Sequence, residues 1–155
     1  MRSIRRIVHP TDFSPASRKA LVWAIRLAKQ NRAELVVVHV LPPPVPIFEA
    51  ESAERPQAEA HLASVVKKLR WVRIKTRRVL LKGKTSVATH IIDCARIFRA
   101  DLFVMGTRGS TGIARLFKGS VASMVIASAH CPVLVVRARS LPGVRVGAAK
   151  ARRSL

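Results

Sequence analysis

Residues 34–41 read Glu-Leu-Val-Val-Val-His-Val-Leu, a β-branched and aliphatic run with no polar alternation. A strand with one face in water alternates; one without alternation is covered on both faces, as in the middle of a parallel sheet. Parallel neighbours cannot be joined by tight hairpins, so this run commits the flanking chain to long crossovers, usually helices. The rest of the chain agrees. Ile4 to His9 predicts a short first strand. Ser14 as N-cap and Pro15 at the first helical position open a helix in which Ala20, Leu21, Ala24, Ile25, Leu27 and Ala28 keep helical spacing until Asn31. Pro42, Pro43, Pro44 and Pro46 stop the second strand, and Pro42 to Pro56 reads as an acidic loop without periodicity. Helical spacing returns from Gln57 to Arg70 through Leu62, Val65, Val66 and Leu69. A third strand alternates at Val72, Ile74 and Thr76 and continues through Val79-Leu80-Leu81, with Arg and Lys on the outer positions of a sheet edge. A helix over Val87 to Phe98, a strand over Asp101 to Met105, a helix over Ser120 to Ser128 and a strand over Pro132 to Arg137 complete the series. This β-α alternation predicts an open parallel sheet with helices on both faces and right-handed crossovers.

Open sheets of this kind bind ligands beyond the carboxyl ends of their strands, where the strand order reverses. Two stretches fall there. After the fourth strand the chain reads Met105-Gly106-Thr107-Arg108-Gly109 and, ten residues later, Gly119-Ser120-Val121 at the mouth of a helix. Glycine lets the backbone approach a ligand closely, and a helix N-terminus offers N–H groups to phosphate. The bland alternative is a glycine-rich turn with no ligand. After the first strand comes Pro10-Thr11-Asp12, in which Asp12 serves a ligand or only the turn, since Asp is common in turns. Gly83-Lys84-Thr85 resembles the end of a phosphate-binding P-loop, but Arg78 stands where that motif needs its first glycine, so the full motif is absent. The triplet is expected to line the same cleft, with Gly83 as its candidate contact.

The charge is unusual: 29 Lys+Arg against 8 Asp+Glu, a formal net charge of +21. Nine Lys/Arg and no acid lie between Lys67 and Lys84. Such a field attracts nucleotides, nucleic acid and anionic lipid; a general compositional bias toward arginine is the alternative. With 155 residues and 49% hydrophobic content the chain makes about one domain with a real core. No apolar run approaches the roughly 18–20 residues that span a bilayer, and no apolar h-region follows the basic start. Cys94 and Cys131 lack metal or redox spacing and read as buried thiols of a cytoplasmic protein. None of the five histidines pairs with another at metal-ligand spacing. After Arg139 the apolar period ends, which predicts a domain over residues 1–139 and a basic tail over 140–155.

Three segments together resemble the universal stress protein family from Ile4 to about Arg137: Ile7-Val8-His9-Pro10-Thr11-Asp12-Phe13-Ser14, the His39-Val40 end of the second strand, and the Gly106-x2-Gly109-x9-Gly119-Ser120 loop with its closing Pro-Val-Leu-Val-Val strand. The resemblance implies a five-stranded, Rossmann-like α/β fold of strand order 3-2-1-4-5 and a homodimer through the fifth strand, Val133 to Val136. The loop aligns the chain with the ATP-binding branch. There Pro10, Thr11 and Asp12 would hold the nucleoside end, Val40 would meet adenine through its backbone, and Met105 and Gly106 would flank ribose and phosphates. Gly109, Gly119, Ser120 and Val121 would bind phosphates, with Mg²⁺ accompanying ATP. Arg108 and Lys118 inside the loop either contact phosphate or are simply solvated. The basic excess and the tail depart from the family pattern. No side chain is placed as a base beside the phosphates, and His9 and His39 at strand ends read as structural, so ATP hydrolysis is expected to be weak at most. A nucleotide-binding regulatory protein is the leading reading; a nucleic-acid-associated protein and a nucleotide-free dimeric scaffold are the others.

Overall fold

A computed structural model of the chain describes residues 3–41, 51–83, 86–107 and 121–137. Its strands are β1 (Arg6–Pro10), β2 (Glu34–Leu41), β3 (Thr76–Lys82), β4 (Leu102–Thr107) and β5 (Val133–Arg137). The helices among the described residues are α1 (Pro15–Asn31), α2 (Glu51–Trp71), α3 (Val87–Ile97) and α4 (Val121–Ser128). The strands form one parallel sheet of order β3-β2-β1-β4-β5. The chain winds outward from β1 to β3, then crosses back to place β4 on the other side of β1. The crevice where the strand order reverses therefore lies between β1 and β4.

Two cores flank the sheet, which accounts for the unbroken apolar run in β2. Val36, Val38 and Val40 face one core with Val8, Phe103 and Met105, against Ile91 and Ala95 of α3 and Ala122 and Val125 of α4. Leu35 and Val37 face the other with Ile7 and Val104, against α1 and α2. On that side the fully buried contacts of α1 are Ala20, Ala24 and Ala28, flanked by the partly buried Leu21, Ile25 and Leu27, so its backbone lies close over β1 and β4. The helix starts where its N-cap predicts: Ser14 Oγ accepts from Ser17 N at 3.2 Å and Pro15 sits in the first turn. It stops at Arg32 in the left-handed conformation (φ 52°), whose N–H bonds the Ala28 and Lys29 carbonyls.

Several expected boundaries move. The first strand begins at Arg6 rather than Ile4, because the Asp101 carboxylate takes the Arg5 and Arg6 N–H groups at 2.8 and 2.9 Å. Asp101 is thus a clamp on β1, and the fourth strand runs from Leu102 to Thr107. The second helix begins at Glu51, inside the stretch expected as loop, and carries Pro56 within it. Proline and a lack of apolar period hid that turn, although Glu54 suits the positive end of a helix dipole. Val72 and Ile74 belong to a turn rather than to β3: Arg73 is left-handed (φ 57°), and Ile74 N bonds the Leu69 carbonyl at the end of α2. The edge position expected for the third strand is correct. Glu34 anchors the start of β2 between Arg77 Nε at 3.2 Å and Arg6 Nε at 3.5 Å. No helix among the described residues is long and apolar enough to cross a membrane. The tail expected over residues 140–155 lies outside the described residues.

The alanine stripe fixes how closely α1 approaches the sheet. Ala24→Leu puts a branched side chain into filled space and is expected to cost about 1–3 kcal/mol in urea unfolding. Val22→Ala, on the exposed side of the same helix, is expected to stay within about 0.5 kcal/mol of the parent chain.

Candidate functional site

The crevice is built on the turn from β1 into α1. Thr11 N donates to the Val38 carbonyl at 2.9 Å, which carries the β1–β2 ladder one residue beyond the strand. Thr11 Oγ1 accepts from Phe13 N at 3.0 Å and donates to Ser17 Oγ at 3.2 Å. The Thr11 carbonyl lies 2.7 Å from Nδ1 of His39. A carbonyl only accepts, so that ring nitrogen carries the proton. Asp12 Oδ1 accepts from Ser14 N at 3.0 Å, the turn chemistry open to it from the sequence. Burial pushes the Asp12 carboxyl up, but hydrogen bonds from Ser14 and Ser17 outweigh it and hold it below the usual value. Asp12 is ionised at neutral pH and adds a negative charge at the rim.

Phe13, between these residues, is left-handed (φ 60°), a conformation that costs a bulky side chain of order 1 kcal/mol or more. The turn holds it there. Arg18 donates to the Phe13 carbonyl at 2.7 Å, and the ring packs against His39 and His61 at centroid distances of 4.6 and 4.9 Å. Sequence reading missed Phe13, Ser17 and His61 as parts of the site's frame. Thr-Asp-x-Ser signalled the local turn, but nothing local connects His61 of α2 to it.

The opposite wall is β4. Met105 is buried in the core with Val38 and Val40, so its backbone rather than its side chain is available to a ligand. Gly106 has a specific steric reason. A Cβ there would come within 2.8 Å of Ser17 N and closer still to the Ala16 carbonyl. Gly106 thus lets the first turn of α1 close onto β4, whatever else it does for a ligand. Pro10 ends β1, paired with Val38, and is buried.

Val40 and Gly83 line the neighbouring strand ends. The backbone of a strand points alternately to its two neighbours. The Val38 carbonyl bonds Thr11 on the β1 side, and the Leu41 carbonyl accepts from Gly83 N at 2.8 Å on the β3 side. By that parity Val40 turns its N–H and C=O toward β1, beyond the point where β1 has turned into α1. Gly83 is buried and its N–H is spent on the Leu41 carbonyl, which closes the β2–β3 edge at that point. Val121 opens α4 and is partly exposed. Arg108, Gly109, Gly119 and Ser120 lie outside the described residues, as do Lys84, Thr85 and Lys118. Among the described residues no three His, Cys, Asp or Glu side chains cluster as a metal site.

His9 sits directly behind this turn. It is 1% exposed, and its Nδ1 donates to the Val104 carbonyl at 2.8 Å, tying β1 to β4 across the crevice floor. Its Nε2 is buried without a partner among the described residues. Burial lowers its pKa from 6.5 to about 4, against smaller opposing effects of the Val104 hydrogen bond and the Asp12 charge.

A family model described as the universal stress protein family matches residues 3–137. A universal stress protein of Methanocaldococcus jannaschii is 38% identical over 143 residues, covering 86% of this chain and 82% of its own. A crystal structure from the same family in Burkholderia pseudomallei superposes with a TM-score of 0.73 at 26% identity, covering 88% of this chain and 98% of its own. The universal stress protein of Archaeoglobus fulgidus in complex with dAMP superposes with a TM-score of 0.64 at 26% identity, over 88% of this chain and 99% of its own.

The buried neutral His9 makes stability depend on pH with a definite sign. An unfolded His9 takes up a proton near pH 6.5, the folded one only near 4. Between these values the unfolded chain holds more protons, so stability falls as pH is lowered from 6.5 toward 4, by about 3 kcal/mol in all. Above pH 6.5 this contribution is flat. His9→Val is expected to remove that slope in urea unfolding measured across the window, leaving the loss below it that the depressed Asp12 carboxyl brings.

Proposed function

The chain belongs to the universal stress protein family, and we propose that it is a cytoplasmic, nucleotide-dependent regulatory protein that binds ATP in the crevice between β1 and β4. The observation that carries this reading is the convergence at one place of the Thr11 turn, the Gly106 close approach and the outward-turned backbone of Val40. The complex of the Archaeoglobus fulgidus relative with dAMP supports an adenine nucleotide as the ligand class. Pro10, Thr11 and Asp12 hold the nucleoside end. The N–H and C=O of Val40 match the ring-nitrogen acceptor and amino donor of adenine, an arrangement that guanine reverses, so ATP is preferred over GTP. The backbones of Met105 and Gly106 flank the ribose and phosphates.

Val121 contributes an N–H from the first turn of α4, where a helix has unpaired donors. Gly109, Gly119 and Ser120 complete the phosphate cradle, with Arg108 adding charge. Mg²⁺ enters on the phosphates, as it commonly does, because no side-chain cluster among the described residues offers it a cage. His9 and His39 are both committed to backbone carbonyls. With neither serving as a base, hydrolysis is slow and the nucleotide acts as a bound signal.

Titration calorimetry is expected to show saturable ATP binding with Mg²⁺ and weaker GTP binding; no heat at millimolar ATP would overturn the proposal. Two glycine variants separate binding from folding. Gly119→Val is expected to keep the circular dichroism spectrum and lose ATP binding. Gly106→Val is expected to lower stability with or without nucleotide, because its side chain meets the α1 backbone.

We further propose that the protein assembles as a homodimer by pairing β5 with its copy. β5 is an edge strand, and Val133, Leu134, Val135 and Val136 are each half-buried in the single chain. An open apolar edge invites a two-fold partner. Light scattering at tens of micromolar is expected to give twice the 17.1 kDa chain mass, and Val135→Asp is expected to return the single-chain mass.

A further inference from the structure

The edge of the sheet far from β5 carries a basic groove separate from the crevice. Arg78 lies on the α2 face of β3: its register partner Val37 faces the α1 and α2 core, as does its strand neighbour Leu80 two residues on. There it meets the last turns of α2 across a groove of about 860 Å³. Ala63 and Val66 line its apolar part, and Lys67, Arg70 and Arg73 join Arg78 around it. Trp71 lines the same groove with 82% of its surface exposed, a large rigid ring held in water.

Arg77, next in sequence, takes no part. It points to the other face, pairs with Glu34 at 3.2 Å and stacks over Phe98 at 5.3 Å. None of the ion pairs among the described residues involves Lys67, Arg70, Arg73 or Arg78. The nearest acid along the groove side of α2 is Glu59, two turns before Lys67 and paired with Arg55. Cations in the last turn of a helix complement its dipole, which accounts for Lys68 and Arg70 but not for Arg73, Arg78 or an exposed tryptophan.

We propose that this groove binds single-stranded nucleic acid, with phosphates on Lys67, Arg70, Arg73 and Arg78 and an unpaired base stacked on Trp71. Cations along a groove beside an exposed aromatic face are the combination that single strands use. A duplex fits less well, because its bases are already covered by their neighbours and present no face to Trp71. An anionic membrane fits less well too, since it calls for a flat apolar face, and here the aromatic ring borders a concavity ringed by charge. Arg73 precedes the N-terminal end of β3, at the end of the sheet opposite the nucleotide crevice. The groove is also at the edge opposite β5, so it stays open in a dimer formed through β5.

The test is fluorescence anisotropy of a labelled oligo(dT) of about 12 nucleotides with the full chain, the matching duplex and phosphatidylserine vesicles serving as comparisons. Four phosphate contacts on a single strand imply a log–log salt slope near −3, so binding should weaken about 50-fold between roughly 50 and 200 mM salt. Trp71→Ala is expected to weaken oligo(dT) binding about ten-fold or more and to leave weaker duplex binding unchanged. The fold is spared because the ring is exposed. Arg70→Gln with Arg78→Gln is expected to reduce the slope by about 1.4. Millimolar ATP should not release the oligonucleotide. The proposal is overturned by unchanged oligo(dT) affinity in Trp71→Ala, by duplex binding as tight as the single strand, or by displacement with ATP. Binding to the vesicles in place of oligo(dT) would also overturn it and reassign the groove to membranes.

Discussion

The close approach of α1 to the ends of β1 and β4 is the constraint on which the rest of the structure depends. It requires glycine at position 106, because any side chain there meets the Ala16 carbonyl and Ser17 N. It also requires alanine at positions 20, 24 and 28, because larger residues would lift the helix from the sheet. With α1 held down, its first turn reaches Thr11 through Ser17, and Thr11 in turn reaches β2 through Val38 and His39. Three elements are thereby locked at the one point where the strand order reverses. A parallel sheet exposes backbone groups at its strand ends in any case. Here the packing of small residues decides which of them converge.

The polar groups around that point serve two ends together. Thr11 satisfies turn donors and also fixes the height of the crevice floor. Asp12 caps the turn and stays ionised because Ser14 and Ser17 donate to it. His9 trades a hydrogen bond to Val104 for an orphaned Nε2, a cost tolerated directly behind the site. Phe13 holds a left-handed backbone against its own preference. Strained and under-satisfied groups often mark places shaped for something besides stability; Phe13 and His9 are two such groups at one end of β1.

Charge is distributed by a different logic. The acids are few, and two of them act at the end of the sheet away from the crevice: Glu34 between Arg6 and Arg77, and Asp101 on the Arg5 and Arg6 amides. This leaves the α2–β3 groove strongly positive. The same strand serves both purposes, since alternation sends Arg77 to the Glu34 side and Arg78 to the groove. A count of basic residues along the sequence cannot separate them.

Much of this was legible in the sequence. The unbroken β2 run implied two covered faces, the β-α alternation implied a parallel sheet, and Ser14-Pro15 marked the start of α1 to the residue. These are local matters of side-chain period and capping, which sequence carries directly. The beginning of α2 was not legible, because Pro56 and the lack of an apolar stripe mask a helix there. Neither were the true start of β3, set by a left-handed Arg73, and the use of Asp101 as a clamp. Gly106 drew attention as a phosphate-loop glycine, yet its steric necessity comes from a helix ninety positions earlier in the chain. That the Gly83 N–H is taken by the Leu41 carbonyl likewise depends on how β2 and β3 pair. The sequence determined which elements form and which faces they bury, because those follow from periods of two and 3.6 residues. Only the tertiary structure decided which backbone groups remain at the crevice, because each is consumed or left by a partner far away in the chain.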